Sequence, residues 1–174
     1  MTHPMRRRTH ARELALQLLY QIDLRGDEVL ADVDRFLAEA TPHADVREYA
    51  GAIVRGTWKI KEELDTRLRT VTKNWDVRRM AAIDRNVLRL AIWELQHFEG
   101  VPPKVVINEA IELGKKFSTA NSGGFVNGIL DRIRKDLEAE RLQAGVPKAP
   151  LPETTLPENT LPESAEQVAP AQEA

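Results

Sequence analysis

The side chains able to do chemistry in this chain are basic and polar, and they gather at two places. Arg6, Arg7, Arg8 and Arg12 all precede the first acid, Glu13. A short basic run of this kind is either a solvated terminus or an arm for phosphate, which guanidinium groups hold through forked donors. The second place is the run KKFSTANSGG from Lys115 to Gly124. Lys115 and Lys116 suit the negative end of a helix dipole and suit a phosphate as well. Asn121, Ser122 and the Gly123-Gly124 pair then open a further helix, whose free amides can point at an anion.

Other positions are open to two readings. Tyr20 closes the first helical pattern and offers either a rim hydroxyl or a ring on which a base could stack. Phe125 falls on an apolar stripe, so core packing and base contact both suit it. Asp84, Arg85 and Arg89 interrupt the most apolar helical pattern near its start; a favourable dipole position for Asp84 and surface ion pairs would account for them on structural grounds alone.

Catalysis finds no support. The histidines at 3, 10, 43 and 97 are scattered, and there is no cysteine to serve as nucleophile, disulfide partner or thiolate ligand. No phosphate-loop or dinucleotide motif occurs, and no strand pattern could present one. Asn108, Glu109 and Asn127 read as structural hydrogen-bonding groups, so no base, nucleophile and oxyanion donor come together. No apolar run is long enough for a membrane span, and the cysteine-free composition fits a reducing cytoplasm.

The elements that must position these residues are helical. Ala11, Leu14, Ala15, Leu18, Leu19 and Ile22 form a stripe from Thr9 onward, with Arg12 outside it, and Gly26 ends the helix. Val33, Phe36 and Leu37 predict a short helix from about Val29 to Ala40. Val46, Tyr49, Ile53, Ile60, Leu64, Leu68 and Val71 keep one helical period from Ala44 to Thr70, in which Gly51 and Gly56 would let a neighbour approach closely. Trp75 is expected to plug the following connection. Ile83, Val87, Leu88, Ala91, Ile92, Leu95 and Phe98 predict a central buried helix over 80–98. Pro102 and Pro103 then open a helix carrying Val106, Ile107, Ala110 and Leu113, and Ser122 is placed to cap the last one.

The charge is uneven along this string. Residues 144–174 hold Lys148 and five glutamates, a net −4 out of −2 for the whole chain, which leaves +2 on residues 1–143. Six of the ten prolines follow Gly145, and a Leu-Pro-Glu unit recurs three times there. Such a segment buries too little apolar surface to offset chain entropy, so a disordered C-terminal tail is expected.

Three motifs in order, RRRTHARELALQLLYQIDL, DRNVLRLAIWEL and INEAIELGKKF followed by GFVNGILD, resemble the NusB family of bacterial transcription antitermination factors over roughly the first four fifths of the chain. The resemblance implies an all-α, NusB-like helical bundle of six or seven helices in two sub-bundles. A flexible basic arm (1–8) would precede an RNA-binding helical domain (9–143), with the tail (144–174) behind. It implies no cofactor. Its partners would be single-stranded boxA-like RNA, the ribosomal protein NusE and the RNA polymerase antitermination complex, and some family members form homodimers.

Residue by residue, the resemblance places RNA contact at Arg6, Arg7, Arg8, Arg12, Tyr20, Lys115, Lys116, Asn121, Ser122 and Phe125. It places partner contact at Asp84 and Arg89. Many family members have an acid where Asn121 stands. Two other functions remain open on sequence alone: an RNA-binding helical domain like that fused to ribosomal RNA cytosine methyltransferases, disfavoured because no α/β domain follows, and a helical protein adaptor without RNA.

Overall fold

A computed structural model describes residues 4–73 and 76–145. Among these residues there are seven α-helices, two short 3₁₀ turns and no strand. The helices are α1 (Pro4–Arg25), α2 (Val33–Ala40), α3 (Ala44–Lys59), α4 (Lys61–Val71), α5 (Ala82–His97), α6 (Pro103–Phe117) and α7 (Ser122–Gln143). The predicted plug Trp75 and most of the predicted tail lie outside the described residues.

Helix α1 begins earlier than periodicity suggested. Pro4 has its φ pre-set for a first turn, and the arginines that follow are good helix formers, so the basic run is part of α1 and not a separate segment. Gly26, at φ 102°, ends it. The next predicted helix starts as a 3₁₀ turn over Asp27–Asp32 before continuing as α2.

The long pattern over 44–70 is two helices. Ile60 leaves the helical region (φ −112°, ψ 22°) and separates α3 from α4. Its side chain still falls in phase with Ile53 and Leu64, so the stripe runs through the bend and hydrophobic spacing carries no mark of it.

Helices α1, α2 and α3 pack on one another, α6 and α7 pair, and α5 touches α1, α3, α4, α6 and α7. Helix α5 therefore joins two sub-bundles, and Val87, Leu88, Leu90, Ala91 and Ile92 are sealed from solvent. Gly56 permits one of these approaches. A Cβ there would lie 2.2 Å from the Trp93 ring, well inside van der Waals contact, so α3 and α5 meet at this point only through glycine.

Candidate nucleic-acid interface

Positions 6, 10, 13, 17 and 20 share one side of α1, because each is close to a whole number of turns from the others. Arg6 and Gln17 are exposed and His10, Glu13 and Tyr20 are half-buried. Glu13 accepts a 2.6 Å bond from Lys116 Nζ at the end of α6. The lysine pair and the Arg6–Tyr20 side of α1 are thus neighbours. Lys115, also exposed, pairs with Glu112 at 3.1 Å. Such exposed pairs are weak, and both ammonium groups stay free to exchange a carboxylate for a phosphate.

Arg7 and Arg8 turn the other way, toward the start of α3. Arg7 Nη1 lies 3.2 Å from Asp45, whose carboxyl it holds below its usual range. The Arg8 guanidinium lies over the Tyr49 ring, 5.5 Å from its centroid. The basic end therefore fans around the first two turns of α1, leaving Arg6 and Arg8 exposed.

Arg12 corrects the expectation. It is only 2% exposed. Its Nε and Nη2 donate to the two carboxylate oxygens of Glu94, each at 2.9 Å, and it also reaches Tyr49 Oη at 3.1 Å and Glu109 at 3.4 Å. The Tyr49 hydroxyl donates to Glu94. Burial works against the Arg12 charge, but the hydrogen bonds and charge of Glu94 outweigh it and raise its pKa. Burial, reinforced by the Glu94 charge, raises that of the Tyr49 phenol. Arg12 thus ties α1 to α3, α5 and α6 and presents no surface to a phosphate.

At the other end of the site, Asn121 is exposed and occupies the cap position of α7, while Ser122 is the first helical residue and is buried. Ser122 is not the cap expected from its type. Its Oγ accepts from Thr119 N at 3.2 Å and donates to Asp84 Oδ2 at 3.2 Å. Asp84 is therefore half-buried against the α6–α7 loop, so the expected partner residue and the expected RNA loop meet. Gly123 is a packing glycine: a Cβ there would lie 2.8 Å from Lys115 Cε and 3.3 Å from Ile111 Cγ2. Phe125 is 41% exposed, off the buried Val126–Ile129–Leu130–Ile133 face, which leaves its ring available for a base.

Arg89 also differs from expectation. It is 3% exposed and forks onto Asp65 with two 2.7 Å bonds, while its Nη1 lies 3.2 Å from Asp23. Arg85 and Asn86 converge on the same Asp23 oxygen at 2.7 and 2.9 Å. Burial alone would raise the Asp23 carboxyl, but Arg85, Arg89 and Asn86 lower it below the ordinary value. This cluster joins α1, α4 and α5, so Arg89 is held inside and positions helices instead of lying exposed as a surface charge.

Sequence reasoning did not single out Tyr49, Glu94, Asp23 or Asp65 as polar anchors. A signal was present for two of the buried charges: Glu94 falls seven residues after Val87, and Arg12 seven before Leu19, both on buried sides of their helices. A charge in phase with an apolar stripe implies a buried partner. Asn108 and Asn127, expected to satisfy interior groups, are exposed; Glu109 does serve as expected, through Arg12. Among the described residues, no group of three or more histidine, aspartate or glutamate side chains could hold a metal ion, and no helix is long and apolar enough to cross a membrane.

The sequence model of the NusB family matches residues 9–135. The transcription antitermination protein NusB of Anaeromyxobacter dehalogenans is 47% identical over 136 residues, covering 78% of this chain and 95% of that protein. The crystal structure of T. maritima NusB superimposes with a TM-score of 0.70 at 36% identity, covering 78% of this chain and 94% of the other. A structure of antitermination factors NusB and NusE in complex with double-stranded RNA gives 0.69 at 32% identity, covering 76% and 98%. With its motifs, its seven helices and its relatives in agreement over most of its length, this chain belongs to the NusB family.

Proposed function

We propose that this chain is a transcription antitermination factor of the cytoplasm. It binds boxA-like single-stranded RNA together with ribosomal protein NusE and, within the RNA polymerase antitermination complex, promotes read-through of ribosomal RNA operons. The Lys116–Glu13 contact carries the reading of the site. It brings the α6 lysines to the Arg6–Tyr20 side of α1, so groups able to bind phosphate from two distant motifs share one face with a ring able to stack. Arg6, Arg7 and Arg8 meet phosphates, assisted by Lys115 and Lys116. Tyr20, Asn121 and Phe125 face bases. Ser122 fixes the loop and Arg12 fixes α1, both from the interior.

In this proposal Asp84 touches the NusE side, and Arg89 acts on it through Asp65 and Asp23. Because the RNA in the related NusB–NusE complex is double-stranded, strand state belongs in the test. The experiment titrates single-stranded boxA-like RNA, its duplex and a scrambled strand, each with and without NusE. The proposal expects NusE to tighten binding of the boxA-like single strand selectively. Equal binding of the scrambled strand in the presence of NusE would overturn it.

A further inference from the structure

A groove of about 460 Å³ lies between the first turns of α1, the start of α3 and the end of α5. Val46, Tyr49, Ala52 and Phe98 form its floor. The Tyr49 and Phe98 rings meet edge to face with centroids 4.8 Å apart, and the Tyr49 hydroxyl is consumed by Arg12 and Glu94, so its ring serves the groove as apolar surface. Arg7, Arg8, Asp45 and Glu48 form the rim. Arg7 is bound to Asp45 through Nη1 only, and its buried Nε has no partner. Arg8 has no acidic partner among the described residues; its recorded contact is the Tyr49 ring.

The end of α7 lies against the end of α5. Arg141 Nη2 donates to the Leu95 carbonyl at 3.2 Å, which sets the last turn of α7 beside the last turn of α5, one helical turn before Phe98. Arg67 holds the neighbouring Glu140 with bonds of 2.9 and 3.1 Å. Leu151 follows Gly145 by six residues, a stretch that can span up to roughly 20 Å.

The sequence beyond Gly145 has the chemistry that the groove lacks. Leu151-Pro-Glu153, Leu156-Pro-Glu158 and Leu161-Pro-Glu163 repeat one apolar residue, one proline and one acid. Proline brings no amide to satisfy, and proline-containing segments dock into aromatic-lined grooves at small entropic cost. In an extended segment the leucine and glutamate stand roughly 7 Å apart, so one can meet the Tyr49–Phe98 floor while the other meets the rim. Glu48 repels an acid on its side, which directs the incoming carboxylate to Arg8. Tethering gives such a segment an effective concentration on the order of millimolar, so a weak individual contact suffices.

We propose that this groove is a docking site, in cis, for the Leu-Pro-Glu units of residues 151–163, with a glutamate of the seated unit on Arg8. The chain has no cysteine, so Ser164→Cys introduces a single thiol for a nitroxide label on the full, isotope-labelled protein without RNA. The expected result is at least a two-fold loss of amide intensity at Arg8, Tyr49, Ala52 and Phe98 relative to the reduced label. It should vanish when Leu151, Leu156 and Leu161 are all changed to serine. No loss at the groove, or a loss that survives the triple change, overturns the proposal. So does an equal loss on isotope-labelled chains that carry no nitroxide when they are mixed with nitroxide-labelled chains that carry no isotope, since that assigns the groove to a second copy. RNA is absent throughout, so the outcome is independent of the RNA-binding proposal.

Discussion

Arg12 of α1 and Glu94 of α5 face each other through two parallel 2.9 Å hydrogen bonds, with side chains 2% and 0% exposed. A buried pair of this kind gives modest net stability against an apolar substitute, but removing one member strands the other charge. Glu94→Ala is expected to cost about 3–5 kcal/mol. The Arg12→Leu, Glu94→Leu double variant should recover a large part of that loss. Urea unfolding of the single and double variants measures both, and a double variant no more stable than Glu94→Ala would contradict the pairing.

The Asp23 cluster predicts an acid limb. Its carboxyl lies below the ordinary value of about 3.9 because Arg85, Arg89 and Asn86 favour the charged form over the effect of burial. A carboxyl lowered in the folded state contributes stability that is complete above the unfolded value and disappears as pH falls through the folded one. Asp23→Asn should therefore be less stable than the parent at pH 7, with the gap narrowing below about pH 4. Urea midpoints at pH 7, 5 and 3 check this; a constant gap would remove Asp23 from the acid response.

The approach of α3 to α5 predicts opposite signs for two glycine changes. Gly56→Ala drives a methyl group into Trp93 and should cost about 1–3 kcal/mol. Gly128→Ala, on the open side of α7 with nothing within 4 Å, should stabilise by about 0.5–1 kcal/mol. Thermal melts of the pair decide it, and equal effects would mean that the packing at Trp93 is looser than described.

Much of the fold was legible from spacing. The stripe predicted over 80–98 marks α5 and the one opened by Pro102 and Pro103 marks α6, because their apolar residues recur every third or fourth position. What spacing cannot carry is a bend that preserves phase, as at Ile60, or the identity of the partner that a buried charge finds, as at Arg12 and Arg89. For the site, residue type indicated the basic and polar clusters, but not which charges face water. Arg6, Arg8, Asn121 and Phe125 do, whereas Arg12 and Ser122 are held inside by partners distant in the chain. Those partners, Glu94 and Asp84, become visible only once the helices are packed.

Phe125 and Tyr20 should contribute through their rings. Phe125→Ala removes an exposed side chain, so the melting temperature should stay within a degree or two, while RNA affinity should fall by about 1–3 kcal/mol if a base stacks there. Tyr20→Phe keeps the ring and should retain most of the affinity that Tyr20→Ala loses. Fluorescence titration with boxA-like RNA separates these variants; an unchanged affinity in Phe125→Ala would assign that ring to another surface.

The most direct measurement is the salt dependence of boxA-like RNA binding for the parent and for a variant with Arg6, Arg7 and Arg8 all changed to alanine. Arg12 is left in place because it belongs to the core. Each lost phosphate contact should reduce the slope of log affinity against log salt by about 0.7 for a single strand. The account predicts weaker binding to every RNA, a flatter slope and an unchanged helical content. An affinity and slope equal to the parent's at low and moderate salt would contradict it.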